Sequence, residues 1–259
     1  MIGRVFGDRR RIAALRRIDR PAAAILAVLQ AVVAAAGWLL DEPVWLAVVI
    51  AAQLVLGSIG AVWVMGPAHG HLGLARYAVP AMAGIAATLF GRLIPGGLAI
   101  LLVPIVAVLL WSVTYLELRA ERAAGGRTMR DLLLTMIVFG GVAGIFGLFG
   151  LRTWPTPLGL VALLVLPAAI RSAELRGTLG AEGVGQGLVH VLAVVQVGAA
   201  SLLLNLSIVA TSALIALTFY TWAGAADALG QGSSGRSVAA EFGVLVLIGL
   251  VVGLILSRP

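Results

Sequence analysis

The chain contains no cysteine, which excludes disulfides, thiol nucleophiles, thiolate metal sites and Fe–S clusters. It also has very little charge. Only 11% of its 259 residues are Asp, Glu, Lys or Arg, where a soluble domain carries about 25%. Lysine is missing altogether, so all 18 basic residues are arginine. With 61% hydrophobic residues and a mean hydropathy of +1.09, too little polar surface exists to coat a water-soluble globule. Intrinsic disorder is excluded on the same ground. The class that remains is an all-α, polytopic integral membrane helical bundle.

A bilayer core of ~30 Å needs about 20 apolar residues per helix. Nine segments qualify: 21–40, 43–65, 74–90, 94–116, 131–151, 156–170, 187–204, 206–226 and 239–257. The stretch Leu188–Tyr220 carries no charge and is too long for one helix. It is expected to break at Leu204-Asn205-Leu206-Ser207, where asparagine and serine favour a turn. Pro21 and Pro43 are expected at helix starts, where the missing N–H is harmless. Pro80, Pro104 and Pro167 lie inside spans as potential kinks.

Arginine asymmetry sets the orientation. With the N-terminus in the cytoplasm and the C-terminus outside, only Arg92, Arg152 and Arg258 of the 18 arginines fall outside. An even number of spans scrambles that split. The tryptophans agree: Trp38, Trp45 and Trp154 fall near outer helix ends, and Trp63, Trp111 and Trp222 near inner ends. Residues 1–20 read as a basic amphipathic segment. Val5, Phe6, Ile12, Leu15 and Ile18 share one face, suited to lying on an anionic leaflet. No small-x-small cleavage site precedes the first apolar run, so that run is expected to be retained as the first span of a single transmembrane domain, 21–259. The net charge of +7 is thereby assigned to topology and anionic lipid, not to nucleic acid.

Glu117-Leu118-Arg119 recurs as Glu174-Leu175-Arg176, and Gly126-Arg127-Thr128 as Gly235-Arg236-Ser237. These echoes suggest four related helical hairpins after the first span. Gly140, Gly141, Gly144 and Gly147 in the fifth span, and Gly249 and Gly253 in the ninth, signal close helix–helix approach.

Ionisable groups within a membrane are functional candidates, and every carboxylate here lies at or beyond a span end. A pump that needs a midplane carboxylate is thus disfavoured. Two loops concentrate charge on the arginine-rich side. One holds Glu117, Arg119, Glu121, Arg122, Arg127, Arg130 and Asp131; the other holds Arg171, Glu174, Arg176 and Glu182. They read either as solvated loops or as a face whose guanidinium forks receive phosphate. His69 and His71 share the short loop between the second and third spans, and His190 lies in the seventh. They are open to reading as interfacial histidines or as parts of a metal set. Gln196, Ser201, Asn205, Ser207, Thr211 and Ser212 either line a polar path or act as interhelical glue.

Three fragments carry a resemblance. Arg17-Ile18-Asp19-Arg20-Pro21, running straight into the first span, resembles the start of UbiA-type membrane prenyltransferases. Leu175-Arg176-Gly177-Thr178-Leu179-Gly180 is similar to that family's segment after its second aspartate motif. Gly235-Arg236-Ser237 before the last span is similar to the family's close. The resemblance implies nine helices with the N-terminus inside and an isoprenoid diphosphate held through Mg²⁺ by aspartate-rich motifs in loops two-three and six-seven. Here the first of those loops, Met65 to Leu72, contains no acid, and Arg171-Ser172-Ala173-Glu174-Leu175-Arg176 contains one. That departure speaks against prenyl transfer and leaves Mg²⁺ as a cofactor only if the protein is an enzyme. The function expected is accommodation of an isoprenoid or other lipid at the cytoplasmic face of the cell (plasma or inner) membrane. Arg76, Arg119, Arg171, Glu174 and Arg176 are the candidate ligand-binding residues, with His69, His71 and His190 nearby. The alternatives are a non-catalytic subunit of a larger membrane complex, with membrane-protein partners or a second copy, and a small-molecule transporter.

Overall fold

The computed structural model describes residues 3–40, 42–66, 73–118, 126–150 and 155–257. Nine helices of 14 residues or more run through them: α1 (Gly3–Leu39), α2 (Pro43–Met65), α3 (Ala78–Gly91), α4 (Val103–Leu118), α5 (Gly126–Phe149), α6 (Thr156–Glu174), α7 (Gly180–Leu203), α8 (Ile208–Gly230) and α9 (Gly235–Leu256). Short helical turns precede α3 (Ala75–Tyr77) and α4 (Gly96–Ala99, Ile100–Leu102). No strand occurs among the described residues. The all-α polytopic bundle expected from composition is the fold observed, and eight of the helices are long and apolar enough to cross a membrane.

The exception is α3. Its 14 residues reach only ~21 Å, yet ten of them are buried. It is the central post of the bundle, packed by α1, α2, α4, α5 and α6. A helix that meets protein on all sides does not have to match the bilayer thickness. Around it a core runs from Ala27 and Met82 through Val138, Phe146 and Val165 to Ile215 and Phe219.

Several helices extend past the apolar runs that announce them. α5, α7 and α9 begin at Gly126, Gly180 and Gly235, and α6 continues to Glu174. Hydropathy marks where lipid contact starts, whereas a helix continues wherever its first and last polar turns find partners. Pro21 departs from expectation: it lies inside α1, because the helix has already begun at Gly3. Pro43 does open α2, as the sequence implies.

The expected turn between α7 and α8 is present. Asn205 adopts φ 51°, the Leu206 N–H donates to the Ser201 carbonyl at 3.1 Å, and Ser207 caps α8 by accepting from the Ala210 N–H at 3.2 Å. Asparagine is among the few non-glycine residues that enter this left-handed region readily. The Ser257 hydroxyl at the end of α9 accepts from the Ser207 N–H at 3.1 Å. At the other end of the bundle, Ala22, Ala23 and Leu26 of α1 pack with Val64 and Leu118. The membrane-embedded chain thus starts and finishes at opposite ends, as odd threading requires.

The glycine faces serve the bundle's own packing. A Cβ at Gly141 would collide with Leu164, at Gly144 with Leu89, and at Gly249 with Leu217. The hairpin repeat holds only in part. α2 packs on α3, α6 on α7 and α8 on α9, but α4 and α5 barely touch.

Candidate functional site

Charge collects where α4, α6 and α8 end and α5 begins. Arg171, in the last turn of α6, is 2% exposed, and Glu117, in the last turn of α4, is 3% exposed. The Arg171 Nη2 lies 2.6 Å from the Glu117 Oε2, and its Nε lies 3.1 Å from the same oxygen. Its Nη1 reaches Glu174 Oε2 at 3.2 Å. The two glutamates of the repeated Glu-Leu-Arg sequence therefore converge on one guanidinium. Charges so deep persist only when paired and hydrogen-bonded.

Glu174 does a second thing. Its Oε1 accepts the Ala75 N–H at 3.0 Å, which ties the segment between α2 and α3 to the end of α6. Gly73 makes that approach possible: it sits at φ +75°, and a Cβ there would overlap the Glu174 carboxylate. Loops two-three and six-seven thus meet.

A Schellman-type ending follows α6. Gly177 takes φ +89°, and the Thr178 N–H donates to the Ala173 carbonyl at 3.2 Å. Within this turn Arg176 reaches back across the helix end. Its Nη1 donates to the Ser172 carbonyl and hydroxyl, both at 2.6 Å. Its Nη2 bonds Asp131 Oδ2 of α5 at 2.9 Å, and its Nε lies 3.2 Å from Asp227 Oδ1 of α8. One planar fork thus ties α5, α6 and α8 together, a task for which lysine lacks the geometry. Asp131 is buried in its own right.

His190 is also buried. Its Nε2 is 3.1 Å from the Phe219 carbonyl, and its ring stacks on Phe219 at 4.5 Å and on Trp222 at 5.9 Å. It shares a water-sized cavity with Arg176, Ser172 and Gln186. Arg76 is 6% exposed, with its guanidinium 5.5 Å over the Tyr77 ring; its Nε has no hydrogen-bond partner among the described residues. Tyr77 in turn donates to the Gly66 carbonyl at 2.6 Å. Arg119, His69 and His71 lie outside the described residues.

Of the expected site residues, then, Arg171 and Glu174 are in contact, Arg76 follows the residue that Glu174 binds, and Arg176 joins His190 at a neighbouring cavity. Four of the described charges are interior rather than solvated, namely Glu117, Arg130, Asp131 and Arg171, whereas Glu182 is exposed. Glu117, Asp131 and Asp227 complete the network and are absent from the expected set. Their signal was present in the sequence, since each sits flush with an apolar run where an acid must be paired. Among the described residues no group of three His, Asp or Glu side chains comes together to hold a metal. Each described carboxylate pair instead encloses an arginine, a donor set that does not fit Mg²⁺.

Only some polar residues of α7 and α8 are satisfied locally, and the buried Thr211 hydroxyl has no hydrogen-bond partner among the described residues. The Ser201 hydroxyl donates to the Val197 carbonyl and the Ser212 hydroxyl to the Ile208 carbonyl, each at 2.8 Å, while Asn205 is the exposed turn residue. In α1 to α3 a buried amide cluster forms instead. The Gln53 Nε2 donates to the Gln30 carbonyl at 2.8 Å and the Gln30 Nε2 to the Pro80 carbonyl at 2.8 Å. Trp38 points inward rather than to a headgroup layer, its indole N–H donating to the Ala87 carbonyl at 3.2 Å.

No family model matches the chain, and comparison with curated proteins and with solved structures likewise gives no match.

Proposed function

We propose that this is a UbiA-like membrane protein that accommodates an isoprenoid or similar lipid at its arginine-rich face, which the positive-inside bias assigns to the cytoplasmic side of the plasma or inner membrane. One observation carries the reading. A groove of about 640 Å³ runs between Gly73-Leu74-Ala75 and the α6–α7 hairpin, the two segments whose convergence a lipid site at this face requires. Leu166, Pro167, Ile170, Leu179 and Val184 offer an apolar chain its track, and Glu174 is the one ionisable lining group among the described residues. Directly behind Glu174 stands Arg171, and Arg76 follows Ala75. An amphiphile fits such a groove with its tail along the aliphatic wall and its polar end toward these side chains.

Accommodation, not Mg²⁺-dependent prenyl transfer, is the activity assigned, because the carboxylates near the groove are committed to Arg171. The test is mass spectrometry of lipid extracted from purified protein. A specific lipid at fixed stoichiometry is expected, lost when Val184→Trp fills the groove. Bulk phospholipid alone, in the proportions of the surrounding membrane, would overturn the reading.

A further inference from the structure

A second cavity, of about 580 Å³, shares no lining residue with that groove. α3 supplies its floor, where Ala83, Ala86, Ala87 and Gly91 follow helical spacing and leave a shallow stripe of small residues. α4 and α5 are its walls, and Ala213, Ala216 and Leu217 of α8 complete the lining. Because α4 and α5 barely touch, the cavity opens sideways between them. Leu109 of α4 and Met136 of α5 stand at that opening, both mid-helix and both exposed.

Three features identify what fills it. First, the mouth lies on faces that meet hydrocarbon, so the surrounding medium is lipid tails. Second, the charged end is shut. Glu117, one turn beyond the lining residue Val113, is locked on Arg171, and Asp131, two residues before Leu133, is locked on Arg176. Third, among the described residues the lining has no free hydrogen-bond donor to offer a headgroup. Its one hydroxyl, on Thr135, already donates to the Asp131 carbonyl at 2.7 Å, and the Trp38 N–H is engaged by Ala87. A void of this size at interior packing density does not stay empty beside fluid chains.

We propose that this cavity is a site for one hydrocarbon chain of a bilayer lipid, which enters sideways between α4 and α5 and leaves its headgroup outside. The chain lies on the alanine–glycine stripe of α3 and ends against Trp38. This site is independent of the groove beside Glu174.

Trp38 provides the reporter. In the full chain, Trp45, Trp63, Trp111, Trp154 and Trp222 are replaced by Phe, and the protein is reconstituted into phosphatidylcholine vesicles whose acyl chains carry bromine, a contact-range quencher. Trp38 emission is expected to fall by about half or more against unbrominated vesicles, and Ala87→Leu, which fills the floor, is expected to restore it. Equal emission in the two vesicles, or quenching unchanged by Ala87→Leu, overturns the proposal. Should the five-fold substitution not fold, the wild-type background gives a second readout. Ala83→Leu is expected to lower the lipid retained per protein after detergent exchange by one molecule, and unchanged retention also overturns the proposal. Fluorescence reads Trp38 alone, so an empty groove at Glu174 leaves the first result intact, and the two readings fail separately.

Discussion

Arg171 and Glu117, 54 residues apart in sequence, form a buried ion pair with 2.6 Å between Nη2 and Oε2. The pair fastens the end of α4 to the end of α6 on the charged side of a bundle in which α4 otherwise leans on α1 and α3. Removal of one partner strands the other in a low-dielectric site. Glu117→Ala is therefore expected to destabilise the protein by ~3 kcal/mol, since Glu174 still holds the guanidinium. The triple change Glu117→Leu, Arg171→Met and Glu174→Gln leaves no stranded charge and is expected to be more stable than Glu117→Ala. Thermal denaturation in detergent distinguishes these outcomes, and a triple variant weaker than Glu117→Ala contradicts the account.

Gly73 and Glu174 compete for one volume. Gly73→Ala adds a Cβ where the carboxylate lies and strains a backbone at φ +75°. The expected result is a loss of ~1–3 kcal/mol of stability and of the Ala75–Glu174 link. The readout is again the denaturation midpoint, together with the amount of extracted lipid. Wild-type values for both would show that loop two-three does not need Glu174.

The amide cluster gives a coupled prediction. A Cβ at Gly84 would overlap Gln53 Oε1 and press on Gln30 Nε2. Gly84→Ala is expected to cost ~1–3 kcal/mol through overpacking. In a Gln53→Ala background most of that cost is expected to vanish, because the obstruction is gone. A double-mutant cycle measures the difference, and strict additivity would refute the contact.

Absence of cysteine makes topology directly testable. Single cysteines at Gly3 and Ser257 are expected to label on opposite faces of intact cells or spheroplasts. Gly3→Cys is expected to react only after permeabilisation, and Ser257→Cys before it. Labelling of both from the same side would remove the odd threading and with it the orientation of the charged end.

Much of this architecture was legible in the chain. The α7–α8 break at Asn205 was visible because turn chemistry is local: a residue tolerant of left-handed geometry followed by a helix-capping serine. Helix ends were legible only as apolar limits, so α6 and α7 ran longer than read. The site was half legible. Arg171, Glu174 and Arg176 stood out as charges against apolar runs, whereas the pairing of Arg176 with Asp131 and Asp227, across 45 and 51 residues, did not.

By itself, the sequence determined a polytopic helical membrane protein of nine helices with its arginines gathered at one end. Hydropathy and charge bias are properties of each segment against lipid and need no knowledge of neighbours. Only the tertiary structure decided which carboxylate meets which arginine, since several segments of like composition end at the same depth and any of them satisfies the same local rule. It alone decided that α3 becomes a buried post and that α4 and α5 part to leave a cavity. Those outcomes depend on how small residues let distant helices approach, and chain order does not record that.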